Sequence, residues 1–193
     1  MSELFSIQLQ NRQQQGRDGI WLDLPTTTEQ VQAALRQIGI SSDNLQGLFI
    51  SGYFAEEEKR FAIPYNMVLA SNVDEVNFLA SRLETLSTGE RAELNAALQA
   101  PQSELFSIGR ITDFPENVDY YVHLPDVHGP AQLGDYYLNR SGMVDMPEEW
   151  KGGIDTAQFG RYVAQQEQGV FTQYGYLVKS GDAWQKVTEG QPV

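Results

Sequence analysis

The order of structural elements is clearest in the stretch LGDYYLNRSGMVDMPEEWKGGIDTAQFGRYVAQQEQGVFTQYGYLV, residues 133–178. Its first part belongs to a short amphipathic helix, which we predict over about residues 130–139 and which Gly142 ends. An acidic turn follows, in which Pro147 suits the first position of a short helix and two glutamates come directly after it. This first part therefore predicts helix and turn, without a strand.

The second part of the stretch predicts one longer helix followed by strands. Asp155 suits the N-cap of that helix, and Gly169 suits its end. Residues 170–179 and 184–187 then predict two strands, and the Ser-Gly-Asp sequence at 180–182 between them is a hairpin signal.

Upstream of this stretch, we predict strands over residues 103–111 and 118–124. The six residues SELFSI at 103–108 repeat the sequence at 2–7. One interpretation is an internal duplication, in which both copies form the first strand of equivalent modules. The other is coincidence between two ordinary edge strands, because no further similarity extends from the repeat.

The N-terminal part of the chain predicts a mixed module. Alternating apolar and polar residues at 3–9 and 18–25 indicate two antiparallel strands. The Thr-Thr-Thr-Glu sequence at 26–29 has the form of a capping box, and the helix that it opens ends at Gly39. Residues 48–54 predict a third strand.

The middle of the chain predicts two helices, one capped by Asn72 with Glu75 and one capped at residues 87–90 and stopped by Pro101. Together these elements predict an α+β fold, an elongated chain of three small lobes. The lobes are a β-β-α-β module at residues 1–65, a helical middle domain at 66–101 and an α+β domain at 102–193.

The charge balance is strongly acidic. The 193 residues contain 26 Asp and Glu against 13 Lys and Arg, a formal net charge of −13. Such a surface repels nucleic acid and anionic membranes, so we expect neither to be bound directly and expect a basic partner instead. The alternative is that the acidity serves solubility alone.

Composition also predicts where the protein resides. The absence of Cys excludes disulfide frameworks and thiolate sites. The N-terminus has neither a basic region nor an apolar segment typical of a secretory signal, and no apolar run reaches the roughly 18 residues of a membrane span. We therefore expect a soluble cytoplasmic protein.

The standard catalytic arrangements are absent from the sequence. There is no phosphate-binding Gly-rich loop, no Gly-x-Ser-x-Gly elbow and no His-Glu-x-x-His. The two histidines, His123 and His128, would form a metal site only if they converged with a carboxylate such as Asp126, and surface positions are the more common outcome. We therefore expect no enzyme activity, no cofactor and no metal.

Negative charge is spread along the chain rather than placed in a tail. Residues 111–139 contain no Lys or Arg but five acidic residues. If a basic partner is bound, we expect a distributed set of carboxylates to bind it, although for the run at 56–58 a solvated loop is the competing interpretation. The candidate partner-binding residues are Asp113, Glu116, Asp119, Asp126, Asp135, Asp145, Glu148, Glu149, Glu56, Glu57, Glu58, Asp74 and Glu75.

The order of parts in residues 133–178 resembles the antirestriction segment of the ArdA family. The resemblance rests on the short helix, the acidic turn, the Ile-Asp pair at 154–155, the Phe-Gly-Arg cluster at 159–161 and the final aromatic strand. Weaker similarity covers GIWLDLP at 19–25 and the pattern Asn-x-x-Glu-x-Asn-x-Leu that begins at Asn72. No single one of these motifs is diagnostic, but several occur in the family's order.

The resemblance implies a DNA mimic, encoded on a plasmid or conjugative transposon, that occupies the DNA groove of type I restriction–modification enzymes. It also implies a curved three-domain monomer that forms a homodimer through its C-terminal domain. Five residues are candidates for the packing or dimer region, namely Tyr136, Tyr137, Met143, Met146 and Trp150. This chain departs from the family pattern in being less acidic and in having Lys179 and Lys186 near its end.

Two other functions stay open. The chain could be an acidic protein–protein adaptor of a mobile genetic element without DNA mimicry, or an uncharacterised hydrolase that lacks a recognisable nucleophile and base. A continuous band of carboxylates would favour mimicry. Acidic residues scattered among basic ones, beside an exposed apolar patch, would favour an adaptor.

Overall fold

The fold is α+β in the computed structural model of the chain, which describes residues 3–14, 18–41, 45–57, 60–101 and 103–187. The strands are β1 Phe5–Asn11, β2 Ile20–Leu24, β3 Leu48–Phe54, β4 Tyr121–Leu124, β5 Val170–Thr172 and β6 Gly175–Lys179. The helices are α1 Thr28–Gln37, α2 Tyr65–Leu69, α3 Val73–Glu84, α4 Thr88–Gln99, α5 Ile108–Thr112, α6 Pro130–Asp135, α7 Glu148–Lys151 and α8 Thr156–Glu167.

The chain divides into two compact units. The first unit comprises residues 1–87 and 105–115, and the second comprises residues 88–104 and 116–193. The first contains β1–β3 with α1, α2, α3 and α5, and the second contains α4, α6–α8 and β4–β6. The three-lobe organisation stays a prediction.

The first unit is built on an antiparallel sheet in the order β2-β1-β3. Alternation along the central strand β1 turns Phe5, Ile7 and Leu9 into the core, where each is at most 2% exposed. A bulge between Gln8 and Leu9 shifts the register with β3. The sequence therefore predicted these three strands correctly, with small differences at their ends.

Helix α1 begins one residue later than the sequence indicated. Its N-cap is Thr27, whose backbone is extended. The Thr27 hydroxyl accepts a hydrogen bond from the Gln30 backbone N–H, and the Gln30 side-chain oxygen accepts one from the Thr27 backbone N–H. The capping box is therefore Thr27 with Gln30, and the predicted box of Thr26 with Glu29 is wrong. Glu29 instead lies in the first turn, where hydrogen bonds from its own backbone N–H and the Thr27 side chain lower the pKa of its carboxyl.

Helix α3 begins at the predicted capping box, since Asn72 accepts from the Glu75 N–H at 2.8 Å and Glu75 accepts from the Asn72 N–H at 3.3 Å. One turn later, Asn77 binds the loop that follows β2. Its Oδ1 accepts from the Thr26 N–H at 2.8 Å and its Nδ2 donates to the Thr26 carbonyl at 3.0 Å. Both backbone groups of Thr26 are therefore satisfied by one side chain.

The predicted strand at 103–111 is wrong, because α5 occupies its second half. Ser107 caps this helix by accepting from the Arg110 N–H, and Ile108 and Ile111 are buried at helical spacing. The first copy of the repeat enters strand β1 at Phe5, whereas the second leads into a helix. The expectation of two equivalent first strands is therefore also wrong.

The second unit contains an antiparallel sheet in the order β4-β6-β5. Residues 170–179 form two strands rather than the predicted single strand, because the chain reverses before Gly175, whose φ is +121°. The predicted hairpin around 180–182 is wrong, since residues 184–187 form no strand. Residues 118–120 form a 3₁₀ turn, so β4 starts at Tyr121 rather than at 118.

Helices α6 and α8 form the closest helix packing in this unit. A Cβ on Gly160 would lie 1.8 Å from the Pro130 carbonyl oxygen, and one on Gly134 would lie 1.9 Å from the Thr156 carbonyl oxygen. Neither position has room for a side chain. The Phe-Gly-Arg cluster therefore has a structural role at its glycine.

The end of α8 is fixed by Glu167 and two tyrosines. The Tyr176 hydroxyl donates to Glu167 Oε2 at 2.9 Å, and the Tyr137 hydroxyl donates to Glu167 Oε1. Burial, and then these bonds to a carboxylate, raise the pKa of both tyrosines. Gln168 takes the left-handed conformation, with φ 56°. At Gly169 there is no room for a side chain, because a Cβ there would lie 1.9 Å from the Tyr176 hydroxyl.

Candidate partner-binding surface

The candidate carboxylates of the first unit differ in their local roles. Glu56 and Glu57 are exposed and follow β3, and Glu58 lies outside the described residues. Asp74 and Glu75 are exposed in the first turn of α3, where negative charge is favourable. Asp113 follows the last residue of α5 and is half-buried.

Most of the candidate carboxylates of the second unit lie in short helices or turns. Glu116 and Asp119 lie in two successive 3₁₀ turns, and Asp126 lies in the turn after β4. All three are exposed. The other members are Asp135 at the end of α6, Asp145 before α7, and Glu148 and Glu149 in the first turn of α7.

Asp135 and Glu148 are each paired with a neighbouring cation. Asp135 forms an ion pair with Arg140 at 3.2 Å and also accepts a hydrogen bond from Asn139 at 2.8 Å. Glu148 forms an ion pair with Lys151 at 2.6 Å. The two charges of each pair nearly cancel at longer distances. A paired carboxylate therefore attracts a distant cation less strongly than an unpaired carboxylate does.

Four other exposed candidates of the second unit keep their charge uncompensated at short range. Within the described ranges, no ion pair involves Asp119, Asp126, Asp145 or Glu149. These four residues form what we call the open carboxylate set, residues 119, 126, 145 and 149. The structure thus separates the predicted acidic residues into two classes that the sequence alone did not distinguish.

Glu93 is an acidic residue of a different kind, and no sequence pattern singles it out. It lies on α4, where burial, and then the nearby carboxylates of Glu90 and Asp119, raise its pKa to about 8. Its Oε1 is buried without a hydrogen-bond partner in the described part of the chain. Glu93 is therefore mostly protonated at neutral pH, and the unit is less negative than its formal charge.

The five residues assigned to packing or dimer contact separate into a buried and an exposed group. Tyr136 and Tyr137 pack against the core formed by Val127, Leu133 and Tyr176. Met146 is half-buried. Met143 and Trp150 are 76% and 68% exposed, which is unusual for large apolar side chains.

The histidines do not converge on a carboxylate cluster. His123 Nε2 donates to the Tyr174 carbonyl at 2.8 Å, which gives this ring a structural partner in the sheet. His128 is exposed. Over the described ranges, no three His, Asp or Glu side chains lie close enough together to bind a metal ion. Nor does any helix there combine the length and apolar character needed to cross a bilayer.

Comparison with known proteins adds one positive finding. A family model described as "Antirestriction protein (ArdA)" matches residues 15–178, which includes all of the open carboxylate set. No curated protein matches the chain. The strand β6 ends one residue beyond the matched region, and residues 180–187 follow it.

Proposed function

Because this chain belongs to the ArdA family of antirestriction proteins, we propose that it inhibits type I restriction–modification enzymes by occupying their DNA-binding groove. Inhibition by occupation needs no catalytic group. The observation that supports this proposal best is the open carboxylate set, because none of its four exposed members forms an ion pair within the described ranges.

The driving force would be the one that binds DNA. Duplex DNA presents one negative charge per about 1.7 Å of its axis, and an enzyme that binds it with Lys and Arg gains free energy as condensed counterions are released. A protein with spaced carboxylates attracts the same basic groove. Electrostatic steering also raises the rate at which the two oppositely charged surfaces meet.

Rigid placement of the carboxylates favours this mode over that of a disordered acidic tail. Asp119 and Glu116 lie in 3₁₀ turns, and Glu149 lies in α7. A folded surface loses less conformational entropy on binding than a flexible segment does. The same reasoning gives Asp135 and Glu148 a smaller contribution, because Arg140 and Lys151 compete with any cation of the partner.

We also propose that the active form is a homodimer in the cytoplasm of a bacterium that has acquired a mobile genetic element. Met143 and Trp150 are the candidate contact residues, because a large apolar side chain gains about 1.5–3 kcal/mol when it is fully buried. Sedimentation velocity checks this: the unsubstituted protein should sediment as a dimer, and Trp150→Ser with Met143→Ser should shift it toward monomer.

An adaptor without DNA mimicry is the second candidate. The exposed apolar side chains of Met143 and Trp150 favour it, since such surfaces also bind unrelated proteins. The two functions differ in what the partner surface must be. A mimic needs a DNA-binding groove, whereas an adaptor does not.

Competition at a type I methyltransferase core tests the proposal. Labelled duplex DNA is bound to the purified core, and this protein is added at increasing concentration. We expect it to displace the DNA and to be displaced in turn by excess unlabelled duplex. Simultaneous binding of DNA and protein would overturn mimicry and favour the adaptor.

A further inference from the structure

Residues 180–187, which we call the C-terminal strap, lie against one of the carboxylate-bearing turns. The strap follows β6 and lies beyond the region that the family model matches. It has no helix or strand of its own. Every contact described below lies within the second unit.

This turn spans residues 116–120 and carries two exposed carboxylates, Glu116 and Asp119, of which Asp119 belongs to the open carboxylate set. Its internal support is small, since the Tyr120 N–H donates to the Asn117 carbonyl at 3.0 Å and the 3₁₀ helix is one turn long. An isolated turn of this length is unstable in water. Contacts from outside the turn must therefore determine its conformation.

The strap supplies those contacts through three of its residues. Asn117 is only 4% exposed, and its Nδ2 donates to the Gln185 carbonyl at 2.8 Å while its Oδ1 accepts from the Gln185 N–H at 2.7 Å. Trp184 packs edge-on against the Tyr120 ring with 5.0 Å between centroids. The Ser180 N–H donates to the Tyr120 carbonyl at 2.9 Å.

The residue before the strap adds a fourth contact. Lys179 Nζ forms an ion pair with Glu104 at 2.9 Å and lies 5.9 Å from the centre of the Tyr120 ring. The hydrogen bond to Glu104 raises the pKa of the Lys179 ammonium, so it stays charged. Glu104 also accepts a hydrogen bond from the Tyr120 hydroxyl at 3.4 Å.

We propose that the C-terminal strap is a positioning element of the partner-binding surface, which fixes the turn at 116–120 so that Glu116 and Asp119 meet the basic groove of the restriction–modification enzyme. This inference rests on the proposed function. The strap does not touch the partner itself: it acts through the two carboxylates.

Gln185 allows a clean test, because it contacts Asn117 through its backbone alone while its side chain is exposed. Gln185→Pro removes the backbone N–H that donates a hydrogen bond to Asn117 Oδ1, and Gln185→Ala keeps this N–H. In the full-length protein, we expect Gln185→Pro to speed amide hydrogen exchange at residues 118–120. We also expect it to weaken competition with DNA about three- to tenfold, the combined effect of two screened charge contacts. Gln185→Ala should match the unsubstituted protein in both measurements.

A double-mutant cycle separates positioning from a general structural role. In a background with Glu116→Gln and Asp119→Asn, Gln185→Pro should have no further effect on competition, because the groups through which it acts are gone. A loss of the same size in both backgrounds would overturn the inference. Trp184→Ala should weaken competition with DNA as much as Gln185→Pro does. Trp184→Phe retains a ring against Tyr120 and should compete as well as the unsubstituted protein.

The outcomes distinguish this inference from the proposed function. If the unsubstituted protein fails to displace DNA at all, the proposed function is wrong and the role of the strap is wrong with it. If the unsubstituted protein displaces DNA and the proline and alanine variants do so equally well, only the inference about the strap is wrong. Circular dichroism of each variant confirms that it is folded.

Discussion

Gly134 and Gly160 bring the backbones of α6 and α8 together, since a Cβ on Gly160 would lie 2.8 Å from the Gly134 nitrogen. The nearest atoms belong to backbone rather than to flexible side chains. A substitution therefore cannot be accommodated by a rotamer change, and the two helices must move apart.

Replacing Gly160 by alanine should destabilise the second unit. We expect Gly160→Ala to lower the free energy of unfolding by about 1–3 kcal/mol, the usual cost of overpacking. Gly89 is a matched control, because it also lies in a helix but has open space around its Cβ position. Gly89→Ala should stabilise by about 0.4–1 kcal/mol. Urea denaturation measures both, and equal effects would contradict the packing argument.

The carboxylates that have a cationic neighbour should contribute less to binding. Glu148 and Glu149 are adjacent, but only Glu148 is paired with Lys151. Removing the pair in Glu148→Gln with Lys151→Gln leaves the net charge unchanged and should leave affinity for the methyltransferase core nearly unchanged. Glu149→Gln should weaken it about two- to fivefold. Calorimetric titration would detect the difference, and a similar loss in both would place Glu148 in direct contact with the partner.

Carboxylates on the second unit should matter more together than singly. Glu116→Gln, Asp119→Asn and Asp126→Asn combined should weaken inhibition by well over the effect of any one of them, because each contributes one screened contact. Glu56→Gln with Glu57→Gln, which changes two exposed carboxylates after β3, is the comparison and should have a small effect. Loss of all activity from one substitution in a folded protein would instead indicate a localised site.

Salt should weaken the complex steeply. If counterion release drives binding, the logarithm of the dissociation constant rises linearly with the logarithm of salt concentration. We expect affinity to fall at least tenfold between about 50 and 200 mM salt, in the same direction as for DNA-binding proteins. An affinity that stays constant over this range would contradict an electrostatic mechanism and favour apolar contact through Met143 and Trp150.

Stability should fall as Glu93 ionises. Its folded-state pKa is raised from 4.5 to about 8, so its contribution to stability is complete below about pH 4.5 and is lost as the pH rises through about 8. Glu93→Gln should prevent this loss of stability, because a glutamine side chain does not ionise. At pH 9 we expect its thermal midpoint to exceed that of the unsubstituted protein by about 2–4 °C, which corresponds to about 1 kcal/mol after allowance for solvent screening. Glu149→Gln is the control for removing one charge and should keep the pH dependence of the unsubstituted protein.

Local sequence signals predicted the starts of several helices. Asn72 with Glu75 and Asp155 cap α3 and α8 as expected, because a capping side chain needs only backbone groups a few residues away. The strand alternation at 20–24 was equally informative, and the strand predicted at 48–54 is also correct. Local patterns failed at 103–108: Phe5–Ile7 of the first copy lie in β1, whereas the matching residues of the second copy lead into α5, which begins at Ile108. Tertiary packing decides between them.

The candidate surface was predictable in composition but not in detail. Glu148 and Lys151 are three residues apart on a helix, so their pairing could have been predicted from spacing. The raised pKa of Glu93 could not, because it depends on burial of α4 and on Asp119, which is distant in sequence. The contact between Asn117 and Gln185 is equally non-local, since neither residue belongs to a regular pattern.

The paired hydrogen bonds of Asn77 and Asn117 limit which substitutions the chain tolerates. Each asparagine donates to one backbone carbonyl and accepts from one backbone N–H of the same residue, Thr26 or Gln185. Aspartate has the same shape and would add negative charge, but its ionised form has no donor. An aspartate at position 77 or 117 would therefore lose the hydrogen bond to the backbone carbonyl. The chain can gain further carboxylates only at positions whose side chains do not form such a pair of hydrogen bonds.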